Sequence, residues 1–247
     1  MAERYKRAPI TEAVIEIRYA EPAETDLLAK VCADFGTTYP FQHPLVNYDV
    51  TVGLPPPNVR GEAVTQINQA TGHRLSSVDQ AEILLLWPLT FVVSQLAPYP
   101  GWDVFFGRFQ RDWDTWKRVV GYKKITRIGV RFVNRIDIPQ VDRVFEETDY
   151  LRVYAKLPGS FGPITGYGVQ AQFPPDDEGC RLTLNSGLVP SPLVDYGSVL
   201  LDLDIAREIS PPQKDEDIFV LLDKIRTKKN AAFEACITDQ AREFFRK

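Results

Sequence analysis

The sequence predicts an α+β protein with one antiparallel sheet, built from two duplicated β-α-β(n)-α units whose helices pack on one face. Two observations predict this class. Alternating apolar and polar residues indicate strands in both halves, and stretches with apolar residues every three to four positions indicate helices between them. The order strand, helix, several strands, long helix occurs twice, over residues 8–121 and 122–247. We therefore expect a single structural unit, residues 1–247, made of two similar halves.

The first half begins with the alternating stretch Thr11–Tyr19, which predicts a strand, and a helix follows from Thr25 to Phe35. A long helix closes this half, with Asp103 as its predicted cap, a 3.6-residue period of aromatic residues and Gly121 at its end. Four strand-like pieces lie between the two helices: Val46–Val52, Ala63–Gln69, Arg74–Gln80 and Ile83–Leu96.

The second half begins with the long alternating strand Ile125–Ile138, and Asp142–Leu157 then has helical character. A long helix from Asp215 and a short one capped by Thr238 or Asp239 end the chain. Three strands are predicted between these helices: Ile164–Phe173, Cys180–Ser186 and Ser198–Arg207. In topology alone this order resembles clamp-like and TATA-binding-like folds, and such a resemblance carries no function.

The composition is that of an ordinary globular chain. The 247 residues carry 29 Lys and Arg against 33 Asp and Glu, a formal charge of −4, and 44% are hydrophobic, which excludes a disordered or collagen-like chain. The longest apolar run, Ile83–Leu89, is too short to span a bilayer. Cys32, Cys180 and Cys236 lie far apart and lack metal-ligand spacing. We expect a cytoplasmic protein that has no membrane contact and uses no cofactor.

Three arginines share one face of the predicted strand Ile125–Ile138: Arg127, Arg131 and Arg135. Alternate residues of a strand lie about 6.6 to 6.8 Å apart, so these guanidinium groups repel one another unless anions lie between them. If the two halves meet at their first strands, acidic and basic rows become neighbours on the sheet face that carries no helices. The charged residues of the other two strands are Glu12, Glu16 and Arg18 on the first, and Asp202 and Asp204 on Ser198–Arg207.

Two interpretations of this face are open. The first is an ion-pair ladder that only solvates the sheet, each exposed pair contributing about 0 to 1 kcal/mol. The second is a concave site for a phosphate or polyanion, in which arginines outnumber the local carboxylates. The segment Arg108–Arg135 favours the second, because it holds nine Lys and Arg residues against Asp112 and Asp114, a local charge of +7.

The first functional hypothesis is a non-enzymatic binding or interaction module. Its charged face would bind a protein partner, a second copy of the chain or a phosphate-bearing small molecule. No catalytic residue is identified, since no nucleophile elbow is present and His43 and His73 have no suitable partners in the sequence. A single-stranded nucleic-acid binder is a further alternative, which the net negative charge disfavours.

A metal-dependent phosphohydrolase or nuclease is the second hypothesis, with Glu12, Glu16, Asp202 and Asp204 as metal ligands and the three arginines as phosphate holders. Triphosphate tunnel enzymes resemble this chain in using strands of alternating acidic and basic residues, opening with an E-x-E-x-K strand. Here Val14, Glu16 and Arg18 occupy those positions, so one carboxylate is missing and arginine replaces lysine.

Four motifs resemble a sporadically distributed family of uncharacterised prokaryotic proteins over nearly the whole chain. They are the opening APITEAVIEIR, the helix start GWxxF, the strand RFVNRI and the ending KNxxFExxITD. The resemblance implies a single unit in a prokaryotic cytosol and assigns no catalytic residue. Within the ending, Lys229 and Asn230 lie about one turn before Phe233 and could reach toward the sheet or a partner; core packing with helix capping is the alternative.

Overall fold

The structure, a computed structural model, describes residues 5–53, 64–140, 146–158, 160, 162 and 164–247. Within these residues it contains a nine-stranded antiparallel sheet and four α-helices, which confirms the α+β class. The strands are β1 Ile10–Tyr19, β2 Phe41–Gly53, β3 Val64–Ser76, β4 Glu82–Trp87, β5 Thr90–Leu96, β6 Ile125–Pro139, β7 Gly168–Gln172, β8 Cys180–Val189 and β9 Tyr196–Arg207. The helices are α1 Thr25–Asp34, α2 Trp102–Val120, α3 Asp215–Cys236 and α4 Asp239–Arg246.

The first strands of the two predicted halves pair at the middle of the sheet. The strand order is β2-β3-β4-β5-β1-β6-β9-β8-β7, and neighbouring strands pair antiparallel throughout. In the β1–β6 pair, Ile15 lies opposite Val130 and Glu16 opposite Gly129. This pairing makes the predicted acidic and basic rows neighbours.

The hydrophobic core lies on one face of the sheet. Ile15 and Ile17 of β1 and Val130 and Phe132 of β6 are buried there, as the two-residue period predicts. Buried residues of all four helices belong to the clusters on this face, for example Val31, Phe109, Ile225 and Phe245. The opposite side, which carries Glu12, Val14, Glu16 and Arg18 of β1, is called the open face below.

The strands of the first half differ from the predicted segments. Ile83–Leu96 is a hairpin of β4 and β5 rather than one strand, because Pro88 and Leu89 form its turn. The pieces Ala63–Gln69 and Arg74–Gln80 join into β3, which ends at Ser76; Ala63 itself lies outside the described residues.

Two helix predictions are corrected. Gly101 is the N-cap residue of α2, and Asp103 lies in its first turn. The predicted helix Asp142–Leu157 is reduced to the 3₁₀ turn Glu147–Asp149, followed by an isolated bridge at Leu151; residues 141–145 lie outside the described part. Leu151 is fully buried against α3 and α4, so tertiary packing rather than helical periodicity sets this segment.

The end of the chain agrees with its predicted cap. The side-chain oxygen of Thr238 accepts a hydrogen bond from the backbone N–H of Ala241, at the N-terminus of α4. In the part of the chain that the structure describes, no helix has both the length and the apolar character needed to cross a membrane.

Candidate functional site

A cavity of about 750 Å³ lies on the open face, across β1, β4, β5 and β6. Asn47 of β2 and Ala70 of β3 also line it, so the sheet curls toward the cavity at this edge. Six of the predicted site residues line the cavity, whereas Arg135 and Asp202 do not. The six are Glu12, Glu16, Arg18, Arg127, Arg131 and Asp204.

Arg127 binds carboxylates from both neighbouring strands. Its guanidinium forms ion pairs with Glu16 of β1 and, at 2.7 Å, with Asp204 of β9, while Glu208 lies 3.5 Å from Nε. Arg18, which lies directly opposite Arg127, binds the same Glu16 carboxylate at 2.8 Å. Glu16 thus lies between two arginines that would otherwise face one another across the strand pair, where like charges are destabilising.

Arg131 is held by a bidentate ion pair. Its Nε and Nη2 atoms each donate to Asp202 at 2.8 Å, and Asn185 of β8 donates to the same carboxylate at 3.0 Å. Asp202 is buried, and the direct hydrogen bond to it raises the pKa of Arg131 above its usual range. Two of the donors of Arg131 are therefore already occupied by the protein itself.

The three arginines of β6 bind carboxylates that lie toward the C-terminal end of that strand. Arg131 lies opposite Asp204 in the strand register, yet it binds Asp202, one two-residue step further along. Arg135 in turn binds Asp137 of its own strand at 2.9 Å, and Ser198 also donates to that carboxylate. Sequence reasoning missed Asp137, although its position on the arginine face of Ile125–Ile138 was a sufficient signal.

The open face does not carry the predicted excess of arginines. Within the described strands β1, β6 and β9, it holds five carboxylates (Glu12, Glu16, Asp137, Asp202 and Asp204) and four guanidinium groups (Arg18, Arg127, Arg131 and Arg135). The local charge of +7 in Arg108–Arg135 is largely offset by acidic residues from other segments. Lys117, for example, pairs with Asp215, and Arg118 with Asp34.

Asp204 is a paired carboxylate that is partly buried. Burial is the largest effect on its pKa and raises it above the ordinary range, whereas Arg127 lowers it. Glu12, at the other side of Val14, accepts a hydrogen bond from Ser94 at 2.5 Å, and within the described chain it has no Lys or Arg at ion-pair distance. Both groups line the cavity, whose charged lining is balanced: three carboxylates (Glu12, Glu16 and Asp204) and three guanidinium groups (Arg18, Arg127 and Arg131).

One part of the cavity wall is an apolar strip. Leu85 and Trp87 of β4, Leu89 in the turn and Val92 of β5 line it. The Trp87 ring lies across Gly72, where a Cβ atom would come within 2.6 Å of ring carbon Cδ2. Sequence analysis missed this wall because it treated β4 and β5 as one strand; the Trp-Pro-Leu-Thr turn was the signal that could have divided them.

The four carboxylates proposed as metal ligands do not converge. Glu16 and Asp204 bind Arg127, Asp202 binds Arg131, and Glu12 accepts from Ser94. Among the described residues, no group of three or more His, Cys, Asp and Glu side chains is arranged to hold a metal ion.

No protein-family model matches the chain, and no curated protein matches its sequence. The function is therefore argued from the geometry of the cavity.

Proposed function

We propose that this chain is a non-enzymatic binding protein that takes a short segment of a protein partner into the cavity of the open face. The observation that carries the proposal is the composition of the cavity wall: its arginines are engaged by carboxylates of the chain, and an apolar strip runs beside them. A polypeptide is the partner that offers apolar side chains and charges together.

A phosphate-bearing ligand is less well supported. Phosphate recognition by arginine depends on guanidinium donors that point at the ligand, and Arg127 and Arg131 direct theirs to Glu16, Asp204 and Asp202. The cavity lining holds as many carboxylates as guanidinium groups, so it offers a phosphate no net attraction. The same reasoning disfavours a nucleic acid, whose phosphate groups would meet the same balanced lining.

A phosphohydrolase is likewise less well supported. Its mechanism needs at least two of the proposed carboxylates at one metal ion, and each of the four is held instead by an arginine or a hydroxyl group of the chain.

Selection from a displayed library of random decapeptides tests the proposal. Val14 lines the cavity opposite Arg131, so Val14→Trp should fill it without removing a charge, and peptides selected on the wild type should lose at least about tenfold in affinity. Val104→Trp, at an exposed position of α2, is the matched control and should bind as the wild type does. If Val14→Trp fails to fold, Thr90→Tyr on β5 serves as the second filling variant.

Two outcomes would contradict the proposal. One is that no peptide binds, or that the selected peptides bind the filled variants as tightly as the wild type. The other is that inorganic phosphate, ATP or a short oligothymidylate binds by calorimetry and loses its affinity in Val14→Trp.

Three broader proposals accompany this one. The strand orders β2-β3-β4-β5-β1 and β7-β8-β9-β6 run inward from both edges to the β1–β6 pair, which supports a duplication of residues 8–121 and 122–247 with a clamp-like arrangement. Cys32, Cys180 and Cys236 are unpaired and buried, which supports a reducing, cytoplasmic setting. The prokaryotic family and homo-oligomer formation stay predictions from the sequence.

A further inference from the structure

We infer that the segment bound in the cavity is basic at one end and apolar at the other, with about six extended residues from Glu12 to Trp87. This inference rests on the proposed function and specifies the chemistry of the partner.

The cationic end is assigned by charge complementarity. Glu12 lines the cavity with one hydrogen bond, from Ser94, and within the described residues no Lys or Arg lies at ion-pair distance from it. Every other cavity carboxylate binds an arginine of the chain. Arg131 interacts with Glu12 only at longer range. A lysine or arginine of the partner would supply the close ion pair that Glu12 does not form within the described residues, and a charge-assisted hydrogen bond of this kind is stronger than a neutral one.

The apolar end is assigned by the opposite side of the cavity. Trp87, Leu85 and Leu89 form an apolar strip there, and Leu89 is 45% exposed. An aromatic or large aliphatic side chain of the partner would cover this strip and remove apolar surface from water on both sides.

The strand register sets the separation between the two ends. Trp87 lies opposite Thr90 of β5, which lies opposite Arg18 of β1. Glu12 lies three two-residue steps along β1 from Arg18, about 20 Å, and two strands away from Trp87, about 10 Å. The diagonal of about 22 Å corresponds to six or seven extended residues at about 3.3 Å each.

Synthetic peptides test this spacing directly. The probes are capped peptides with one Lys and one Phe, separated by one to eight Ser or Ala residues in both orders, and titrated by fluorescence anisotropy. Affinity should be highest at about five intervening residues and should fall roughly tenfold or more when Glu replaces Lys. Glu12→Gln preserves the shape of the side chain and should abolish this preference for Lys, whereas Glu21→Gln, at an exposed site outside the cavity lining, should keep it.

The outcomes separate this inference from the proposed function. If selected peptides bind in the cavity but lack a basic residue, prefer an acidic one, or bind Glu12→Gln unchanged, the inference is wrong and the binding function stands. If no peptide binds in a manner that Val14→Trp blocks, the proposed function itself is wrong. An affinity independent of the Lys–Phe spacing also contradicts the inference.

Discussion

The guanidinium of Arg127 lies over the backbone of Gly129, in the space that a Cβ atom at position 129 would occupy. A Cβ placed there would come within 2.9 Å of Cζ and 3.0 Å of Nη2 of Arg127. Gly129 lies directly opposite Glu16, so the missing side chain lets Arg127 reach this carboxylate and Asp204 on the other neighbouring strand. A glycine inside a central strand thus has a specific reason: a close approach by another side chain.

Gly129→Ala should therefore have opposite effects in two backgrounds. In the wild type it displaces Arg127 and leaves partly buried Asp204 without its ion-pair partner, so it should destabilise the fold by about 1 kcal/mol. In Arg127→Ala the obstacle is gone, and the same substitution should stabilise by about 0.5 kcal/mol because alanine restricts the unfolded chain. Urea unfolding of the wild type, the two single variants and the double variant measures the coupling free energy between positions 127 and 129. Equal effects of Gly129→Ala in both backgrounds would contradict the role given to this glycine.

Arg131→Ala should cost more stability than Arg18→Ala. Removing Arg131 leaves the buried Asp202 carboxylate with Asn185 as its one remaining side-chain partner among the described residues, and we expect a loss of about 2 kcal/mol. Removing Arg18, whose side chain is 52% exposed, leaves Glu16 bound to Arg127 and should cost less than about 0.5 kcal/mol. Both free-energy losses follow from the denaturant midpoints, provided that the dependence of the unfolding free energy on denaturant concentration is the same in all the proteins. Similar losses in the two variants would show that Asp202 does not depend on Arg131.

Lys229 should destabilise the fold at neutral pH. Its ammonium lies 3.8 Å from the centre of the Phe132 ring, in a buried position, and burial followed by the charge of Arg226 lowers its pKa from 10.5 to about 8. The unfolded chain holds the proton more tightly, so the free energy of unfolding should rise with pH between about 8 and 10.5, and the full penalty applies below pH 8. Lys229→Met should then stabilise the protein at pH 7 by about 1 to 3 kcal/mol.

The advantage of Lys229→Met over the wild type should shrink as unfolding is measured at increasing pH up to 10. Lys228→Met is the neighbouring control, because Lys228 pairs with Asp176 and Glu178 and should gain nothing from the change. A Lys229→Met protein that is less stable than the wild type at pH 7 would mean that contacts in the folded protein outweigh the cost of burying the ammonium group.

Tyr39→Phe should destabilise the fold by about 2 kcal/mol. The Tyr39 hydroxyl donates to fully buried Asp112 at 2.5 Å and accepts hydrogen bonds from Arg108 and Arg111, so it completes a polar network under the sheet. Tyr122→Phe removes a hydroxyl at a position that is 74% exposed and should change stability by less than about 0.5 kcal/mol. The melting temperatures of the two variants measure this difference. Equal melting temperatures would show that the hydrogen-bond network of Tyr39 does not stabilise the fold.

The sequence could predict the face of each charged residue because successive side chains of a strand point to opposite sides. Periodicity alone therefore separated Arg127, Arg131 and Arg135 from Ile128, Val130 and Phe132. The same argument fails at turns inside apolar runs, where both sides of the turn satisfy the pattern, and so β4 and β5 were merged. Periodicity also fails for the segment around Glu147–Asp149. The burial of Leu151 in the cluster that contains residues of α3 and α4 determines the conformation there, rather than the local preference for a helix.

What the sequence determined by itself was the α+β class, the central strand and the two-sided division of its residues, because these follow from local periodicity and burial. What the tertiary structure decided was the balance of charges around the cavity. Pairing of β1, β6 and β9 brings carboxylates from distant segments to Arg127 and Arg131, and charge balance depends on distances across strands that no local count contains. The charge of a segment that is basic in sequence is thereby offset by acidic residues from other segments, and Glu12 accepts a hydrogen bond from Ser94 instead of pairing with an arginine.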